Sequence, residues 1–532
     1  MTRSRSGLSP NLSLRQQVRK PAVRSQGGIM VSQHRLASEV GARVLAAGGH
    51  AIDAATATSF AVGVLEPWMS GIGGVGAMLV RNAADGKVGV VDFGARSPAG
   101  LDPADYPIVE GGGADLFGWP KVKDDRNLVG ATAAVAPTLV RGVEAAHKAF
   151  GRKAWRDLVA PAAALAADGM VVDWHTTLKV AGAYAHLARD PGCRSVFLPD
   201  GAPPVPPPAG LSPVLRLPNP KLARTLAQIG SEGAAAIYTG SIGRALVDDI
   251  RATGGVITQD DLAACEAKMI DPLTISHAGR TVHVLPGLTG GPTVADAFRD
   301  LAQRWTPPGD GKPLDAAAFA AIAASLQFAW QKRFATMGDS VTIAPQGSTT
   351  HISVVDRDGN MVALTQTLLS LFGSRFMSPA TGILLNNGIN WFDPRPGTPN
   401  GTAPGKRTLS NYCPAIMVGD DDVVAAGGCG GRKILPAVYQ LLIMMANGTS
   451  IDDAFHAPRI DVSGGDAVVM DPNLPDAVRI ALKREFQTLE AERTVYPYHF
   501  TVAGAVRRSG GINEGATEPH QPWSEAVAED EV

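Results

Sequence analysis

Cysteine is scarce: four residues in 532 (Cys193, Cys265, Cys413 and Cys429), with no C-x-x-C spacing among them. That excludes a disulfide framework and the common zinc modules, and a reducing, cytoplasmic location is expected. Charge is sparse as well, 18% of residues with a formal net charge of −2. Without a concentrated basic face, no nucleic-acid partner is expected. Long apolar runs are missing too. The Ala-rich stretch Ala51–Leu65 is interrupted by Asp53, Thr56, Thr58 and Ser59, which makes it a buried helix rather than a membrane span. The first 27 residues carry Arg3, Arg5, Arg15, Arg19, Lys20 and Arg24 but no acid and no apolar core. They are expected to form a disordered basic tail, not a secretory signal. No G-x-S-x-G elbow, Walker loop, H-E-x-x-H or EF-hand loop is present.

What is present divides the chain by texture. Helical periodicity covers Thr138–Phe150, Trp155–Ala167, Thr176–Arg189, several segments of Leu222–Ala267, Thr293–Arg304 and Ala316–Thr336. Thr258 and Asp261 form a capping box within this part. Strand-like stretches include Ala77–Arg81, Val88–Phe93 and Thr281–Leu285. After Thr349 strands and Gly-rich turns dominate, with helices expected at Leu435–Met445 and Asp476–Leu489. The length exceeds one ordinary core unless two layered halves share a large sheet. An α/β architecture with stacked sheets between helix layers fits.

"GIGGVG" at Gly71–Gly76 spells a dinucleotide fingerprint. That motif requires a strand before it and a helix after it. The order here is reversed, so close backbone packing or a substrate-side loop is the better reading. "GSTTHISVVDRDGNMVALTQT", Gly347–Thr367, reads as a hairpin turning at Asp358-Gly359. A two-residue loop there would put Thr367 opposite Thr350 and diagonal to Thr349. His351 inside such a hairpin is expected as a hydrogen-bonded core residue rather than a base. Cys429 has no neighbouring cation in sequence to make it a thiolate. The glycines around it, in "AAGGCGGRKI", expose backbone N–H groups before a helix, a nest suited to an oxyanion or to a tight turn.

Nine ordered stretches between about residues 30 and 520 resemble the γ-glutamyltranspeptidase family of N-terminal-nucleophile hydrolases. They are "GGHAIDAATA", "VLEPWMSGIGGVGAMLV", "VDFGARSP", "APTLVRGV", "STTHISVVDRDGN", "FGSRFMSPATGILLNN", "GKRTLSNYCPAIM", "GGCGGRKI" and "HAPRID". The resemblance implies a four-layer αββα sandwich made from two fragments of one proenzyme. Cleavage is expected between Ser348 and Thr349, giving a large subunit of 28–348 and a small one of 349–532 that remain a heterodimer. Thr349 would be the nucleophile and its freed α-amine, with a reference pKa of about 8, the base. No metal or cofactor is then required. By the same resemblance Thr367 holds the nucleophile, Gly430 and Gly431 bind the oxyanion, and Asn387, Ser410 and Asn411 line the donor pocket.

Three departures from the family pattern bear on substrate. Trp391 stands where the family has the aspartate that grips a glutamyl ammonium, and Leu369 replaces an asparagine. The family's carboxylate-binding arginine is Gly94 here, with Arg96 two residues later on the same side of an extended strand. These changes, with the short "DPRPGTPNGTAPG" segment, suggest an amidohydrolase of small carboxylate-bearing amides, as in the oxamate amidohydrolase branch. The alternatives are a γ-glutamyltransferase or glutathione hydrolase proper, or a degenerate relative acting as a binding protein.

Overall fold

The computed structural model describes residues 17–111, 118–208, 214–337, 348–496 and 499–532. The helix Ala51–Leu65 shows how small residues set the architecture. It opens with a capping box: His50 Nδ1 accepts from the Ile52 N–H, while Asp53 accepts from the His50 N–H. Every residue in it is buried. A helix with no polar face has to sit inside. Its alanines let it pack closely on helices Arg35–Ala46 and Trp155–Asp168 and on the strands beneath.

Those strands belong to a seven-stranded antiparallel sheet, ordered Glu525–Ala528, Ile29–Ser32, Ser348–Val355, Met361–Leu369, Val75–Arg81, Val88–Phe93, Lys268–Ile270. A second seven-stranded sheet runs Val23–Ser25, Ile512–Thr517, Val502–Ser509, Asp422–Cys429, Ala415–Val418, Arg280–Val284, Leu273–His277. Period-two alternation divides each strand between two cores. Ile352, Val354, Val362 and Leu364 join the helices over the first sheet. Val75, Ala77, Ala363, Ile416 and Ala425 fill the space between the sheets. Val282, Ala415, Met417 and Val424 face helices Gly291–Arg304, Ala316–Met337 and Ile434–Ala446. Both sheets draw strands from before and after residue 348.

Three sequence expectations are corrected here. Residues 1–16 lie outside the described part, but 17–27, expected as tail, are ordered. Val23–Ser25 pairs with the strand Ile512–Thr517, Lys20 Nζ donates to the carbonyls of Gln521 and Ser524, and the Ala22 N–H donates to Asp452. Acceptors on distant parts of the fold recruit the basic segment. The helix expected to reach Leu489 stops at Glu485, and Thr488–Glu490 becomes a strand parallel to Val468–Met470. The hairpin of Ser348–Val355 and Met361–Leu369 turns through five residues, Asp356 to Asn360, because Asp356 accepts from the Asn360 N–H and closes the wider loop. Thr350 therefore faces Gln366, one residue off the two-residue-turn register. Among the described residues no helix is long and apolar enough to cross a membrane.

Candidate active site

The shifted register is resolved by a bulge at the functional end of the hairpin. Ser348 pairs with Leu369 and Thr350 with Gln366, so Thr367 and Leu368 together oppose Thr349. Thr349 then shares the inter-sheet face with His351, whose ring packs against Gly427 of the second sheet. The bulge turns the Thr367 hydroxyl onto the start of the opposite strand. Thr349 Oγ1 donates to Thr367 Oγ1 at 3.4 Å, and Thr367 Oγ1 donates to the Ser348 carbonyl oxygen at 2.5 Å. The Leu369 N–H donates to the same Thr367 oxygen at 2.8 Å. Thr349 and Thr367 are both buried. A hydroxyl chain thus ends on the carbonyl of the bond that precedes Thr349.

The backbone just beyond is strained. Leu369 has φ +82°, Phe372 +57° and Arg375 +54°. Non-glycine residues held there cost on the order of 1–3 kcal/mol each, and such strain clusters at functional sites. The Gly-rich loop supplies the close packing behind it. A methyl group at Gly74 would lie 2.5 Å from the Thr367 carbonyl oxygen, and Gly73 bridges to Leu385. As the sequence order required, helix precedes and strand follows this loop.

Gly430 and Gly431 end the strand Asp422–Cys429 with φ +134° and +63°, leading through a 3₁₀ turn into helix Ile434–Ala446. His351 is a core residue: Nδ1 meets Thr365 Oγ1 at 3.0 Å and Nε2 meets Ser353 Oγ at 2.8 Å. Burial lowers its pKa to about 3, so the ring is neutral. Burial, aided by the Glu66 carboxylate, raises the Cys429 thiol to about 12. Neither group is poised as a base or nucleophile near neutrality.

The residues expected around the donor pocket separate into two sets. Trp391 is buried and meets Tyr412 edge-on, ring centroids 6.1 Å apart. Ser410 and Asn411, next to Tyr412, are held from behind by Arg333, whose guanidinium donates to the Ser410 carbonyl (2.9 Å) and to Asn411 Oδ1 (3.0 Å). Asn387 differs from expectation. It is fully buried, with Oδ1 accepting from the Ser370 N–H and Nδ2 donating to Ser370 Oγ and the Leu128 carbonyl. Its amide is committed to protein groups.

Arg96 is exposed and donates to the Gly405 carbonyl. The guanidinium that covers Gly94 belongs to Arg407: a methyl group at Gly94 would lie 2.5 Å from its Nη2. Arg407 is ion-paired with Asp92. Thr367 pairs with Val75 and Phe93 with Gly76. Continuing that register sets Gly94 two strand spacings, about 10 Å, from Thr367 on the same face. Arg96, Arg407 and Lys268, together with the acids Asp92, Asp261 and Glu266, line a pocket of about 180 Å³ beside Gly94. Arg333 and Arg407 escaped the sequence reading because neither carries a local motif. Position 407 had one signal, "GKRTLSN", in which a cation precedes the pocket residues. Among the described residues no cluster of histidine, cysteine, aspartate or glutamate is built to hold a metal.

Comparison with known proteins gives the family and the fold. The model of the family described as Gamma-glutamyltranspeptidase matches residues 37–344 and 314–528. An acylase ACY 1 proenzyme of Pseudomonas sp. (strain SE83) is 33% identical, over 87% of each chain. Glutathione hydrolase 3 of Arabidopsis thaliana is 31% identical over 83% of this chain and 73% of its own length. Cephalosporin acylase from Bacillus halodurans shares the fold, with a TM-score of 0.82 and 22% identity over 98% of this chain and 99% of that one. A family model matched over nearly the whole chain, and a relative 33% identical over 87% of it, place this chain in the gamma-glutamyltranspeptidase family.

Proposed function

We propose that the chain is a self-processing amidohydrolase or acyltransferase whose nucleophile is Thr349. The observation that carries this reading is the hydroxyl chain from Thr349 through Thr367 to the Ser348 carbonyl. In the uncut chain, attack of Thr349 Oγ1 on that carbonyl carbon forms a five-membered tetrahedral intermediate. Its oxyanion is the oxygen already receiving the Thr367 hydroxyl. Collapse breaks the C–N bond, the proton given up by the Thr349 hydroxyl passing to the departing nitrogen, and leaves an ester on Thr349; water hydrolyses the ester to a Ser348 carboxylate and a free Thr349 α-amine and hydroxyl. The strands interleaved across residue 348 would keep the fragments Met1–Ser348 and Thr349–Val532 together, in the helix–sheet–sheet–helix order of N-terminal-nucleophile hydrolases.

The freed amine has a reference pKa of about 8 and can accept the Thr349 hydroxyl proton as that oxygen attacks an amide substrate. The N–H groups of Gly430 and Gly431 would take the new oxyanion, each such donor contributing on the order of 3 kcal/mol. The amine then returns its proton to the leaving nitrogen, and water or an amine acceptor releases the acyl group. Trp391 and Leu369 leave no acid or amide for a substrate ammonium, while Arg407 and Arg96 offer cations. Small carboxylate-bearing amides fit best. Mass analysis of purified protein is expected to show fragments Met1–Ser348 and Thr349–Val532. An electrophile directed at N-terminal threonine should label the second fragment. An uncut, unlabelled wild-type chain, or cleavage that persists in Thr349→Ala, would overturn the proposal.

A further inference from the structure

Arg333 is a buried cation with no acid beside it among the described residues. It lies on helix Ala316–Met337 and is 4% exposed. Nη1 donates to the Thr289 carbonyl (2.7 Å) and Thr293 Oγ1 (3.1 Å), and Nη2 to the Ser410 carbonyl and Asn411 Oδ1. Among the described residues no carboxylate pairs with it. Burial and the neighbouring Arg432 both work against its charge, lowering its pKa to about 9. Buried charges are ordinarily paired, because desolvation is expensive. A purely structural tie between these segments would be served more cheaply by a neutral amide, so the guanidinium calls for another explanation.

One follows from its donor-only chemistry. A guanidinium has five N–H groups and no acceptor. Whatever it meets on Asn411 has to be the oxygen, which turns Nδ2 the other way. Among the described residues Nδ2 has no acceptor, and Asn411 as a whole is 7% exposed. Asn411 is therefore held as a hydrogen-bond donor. The donor stands beside Tyr412, whose ring packs on the apolar Trp391. We propose that Arg333 is a positioning residue that fixes the Asn411 amide so that the donor pocket reads an oxygen acceptor, a carboxylate or carbonyl, on the acyl group. This rests on the reading of Ser410 and Asn411 as pocket residues. It adds that selectivity for acid donors depends on a side chain that never meets the substrate.

The test compares glutaryl and valeryl p-nitroanilides, which differ in a terminal carboxylate against a methyl group. Arg333→Lys keeps the charge but loses the planar fork that reaches both Ser410 and Asn411. It should lower the glutaryl-to-valeryl ratio of kcat/KM by about tenfold, mainly through KM. Serine is a donor however it is turned. In an Asn411→Ser background the same Arg333→Lys change should therefore leave the ratio unaltered, which is the coupling expected of one residue acting through another. Asn411→Asp removes the donor without disturbing the helix and carries the test if Arg333→Lys does not fold; it should lower the ratio by at least as much. Calorimetric titration with glutarate, which requires no turnover, should show weaker binding in Asn411→Asp than in wild type. Equal effects on both anilides, a ratio change that persists in the Asn411→Ser background, or unaltered glutarate binding would overturn the inference. An uncut chain would refute the proposed nucleophile instead, and the titration would still decide the role of Asn411.

Discussion

Replacing Thr367 with valine keeps its shape and removes one oxygen. That oxygen donates to the Ser348 carbonyl, accepts from Thr349 Oγ1, and accepts from the Leu369 N–H. Two consequences are separable. Cleavage loses the donor aimed at the oxygen that becomes the oxyanion, worth about 3 kcal/mol at the transition state, so processing should slow by about two orders of magnitude. Folding loses the acceptor for a buried N–H at a residue already held at φ +82°, which costs about 1–3 kcal/mol. A chain of this size retains its fold after such a loss in most cases, so circular dichroism should report native structure while mass analysis shows uncut protein accumulating. Thr367→Ser restores the oxygen and should recover most of the cleavage rate. If Thr367→Val matured at the wild-type rate, the hydroxyl chain would be a packing accident and the proposed route to the free amine would fail.

Gly74→Ala puts a methyl group 2.5 Å from the Thr367 carbonyl oxygen; processing timed by mass analysis should slow although no reacting atom has changed. Glutaryl-p-nitroanilide should exceed γ-glutamyl-p-nitroanilide in kcat/KM by about tenfold, because no acid replaces Trp391. The reverse order would mean that Asp92, beside Arg407, holds the ammonium. Arg407→Lys should impair the glutaryl substrate more than Arg96→Ala does, since Arg407 covers Gly94 and Arg96 is turned to the Gly405 carbonyl; the opposite ranking in steady-state kinetics would restore Arg96. Burial lowers the His351 pKa from 6.5 to about 3, so the unfolded chain binds its proton first as the pH drops. The stability from keeping this ring neutral is complete above about 6.5 and lost toward 3; urea midpoints at pH 7, 5.5 and 4.5 should fall less in His351→Asn than in wild type.

Local rules reached the elements whose determinants are local. The Thr258–Asp261 capping box and the helices Leu139–Phe150, Trp155–Asp168 and Ala316–Met337 lie close to where periodicity sets them. The hairpin was legible as a hairpin but not in its register, because Asp358-Gly359 satisfies a two-residue turn in sequence while Asp356 and Asn360 close a five-residue loop through their side chains. That single residue matters, since it creates the bulge that aims Thr367 at the Ser348 carbonyl. The basic segment around Lys20 looked unstructured because its acceptors, on Gln521, Ser524 and Asp452, lie at the far end of the chain.

The same distinction explains which site residues could be named in advance. Thr349, Thr367, Gly430 and Gly431 stand in short stretches that resemble a family's motifs, and their expected roles come with that resemblance. Arg333 and Arg407 acquire meaning only when the chain folds, one by meeting Ser410 and Asn411 from a helix nearly eighty residues earlier, the other by covering a glycine from the opposite direction in sequence. Substitution at Gly94 illustrates the point. Its missing side chain reads as a lost function along the sequence, yet in the fold it is the space that admits Arg407. An arginine restored at position 94 would collide with that guanidinium and place two cations beside one Asp92. In the proposed reading, ligand charge would be set by which of two distant segments supplies the cation, a choice that no window of the sequence contains.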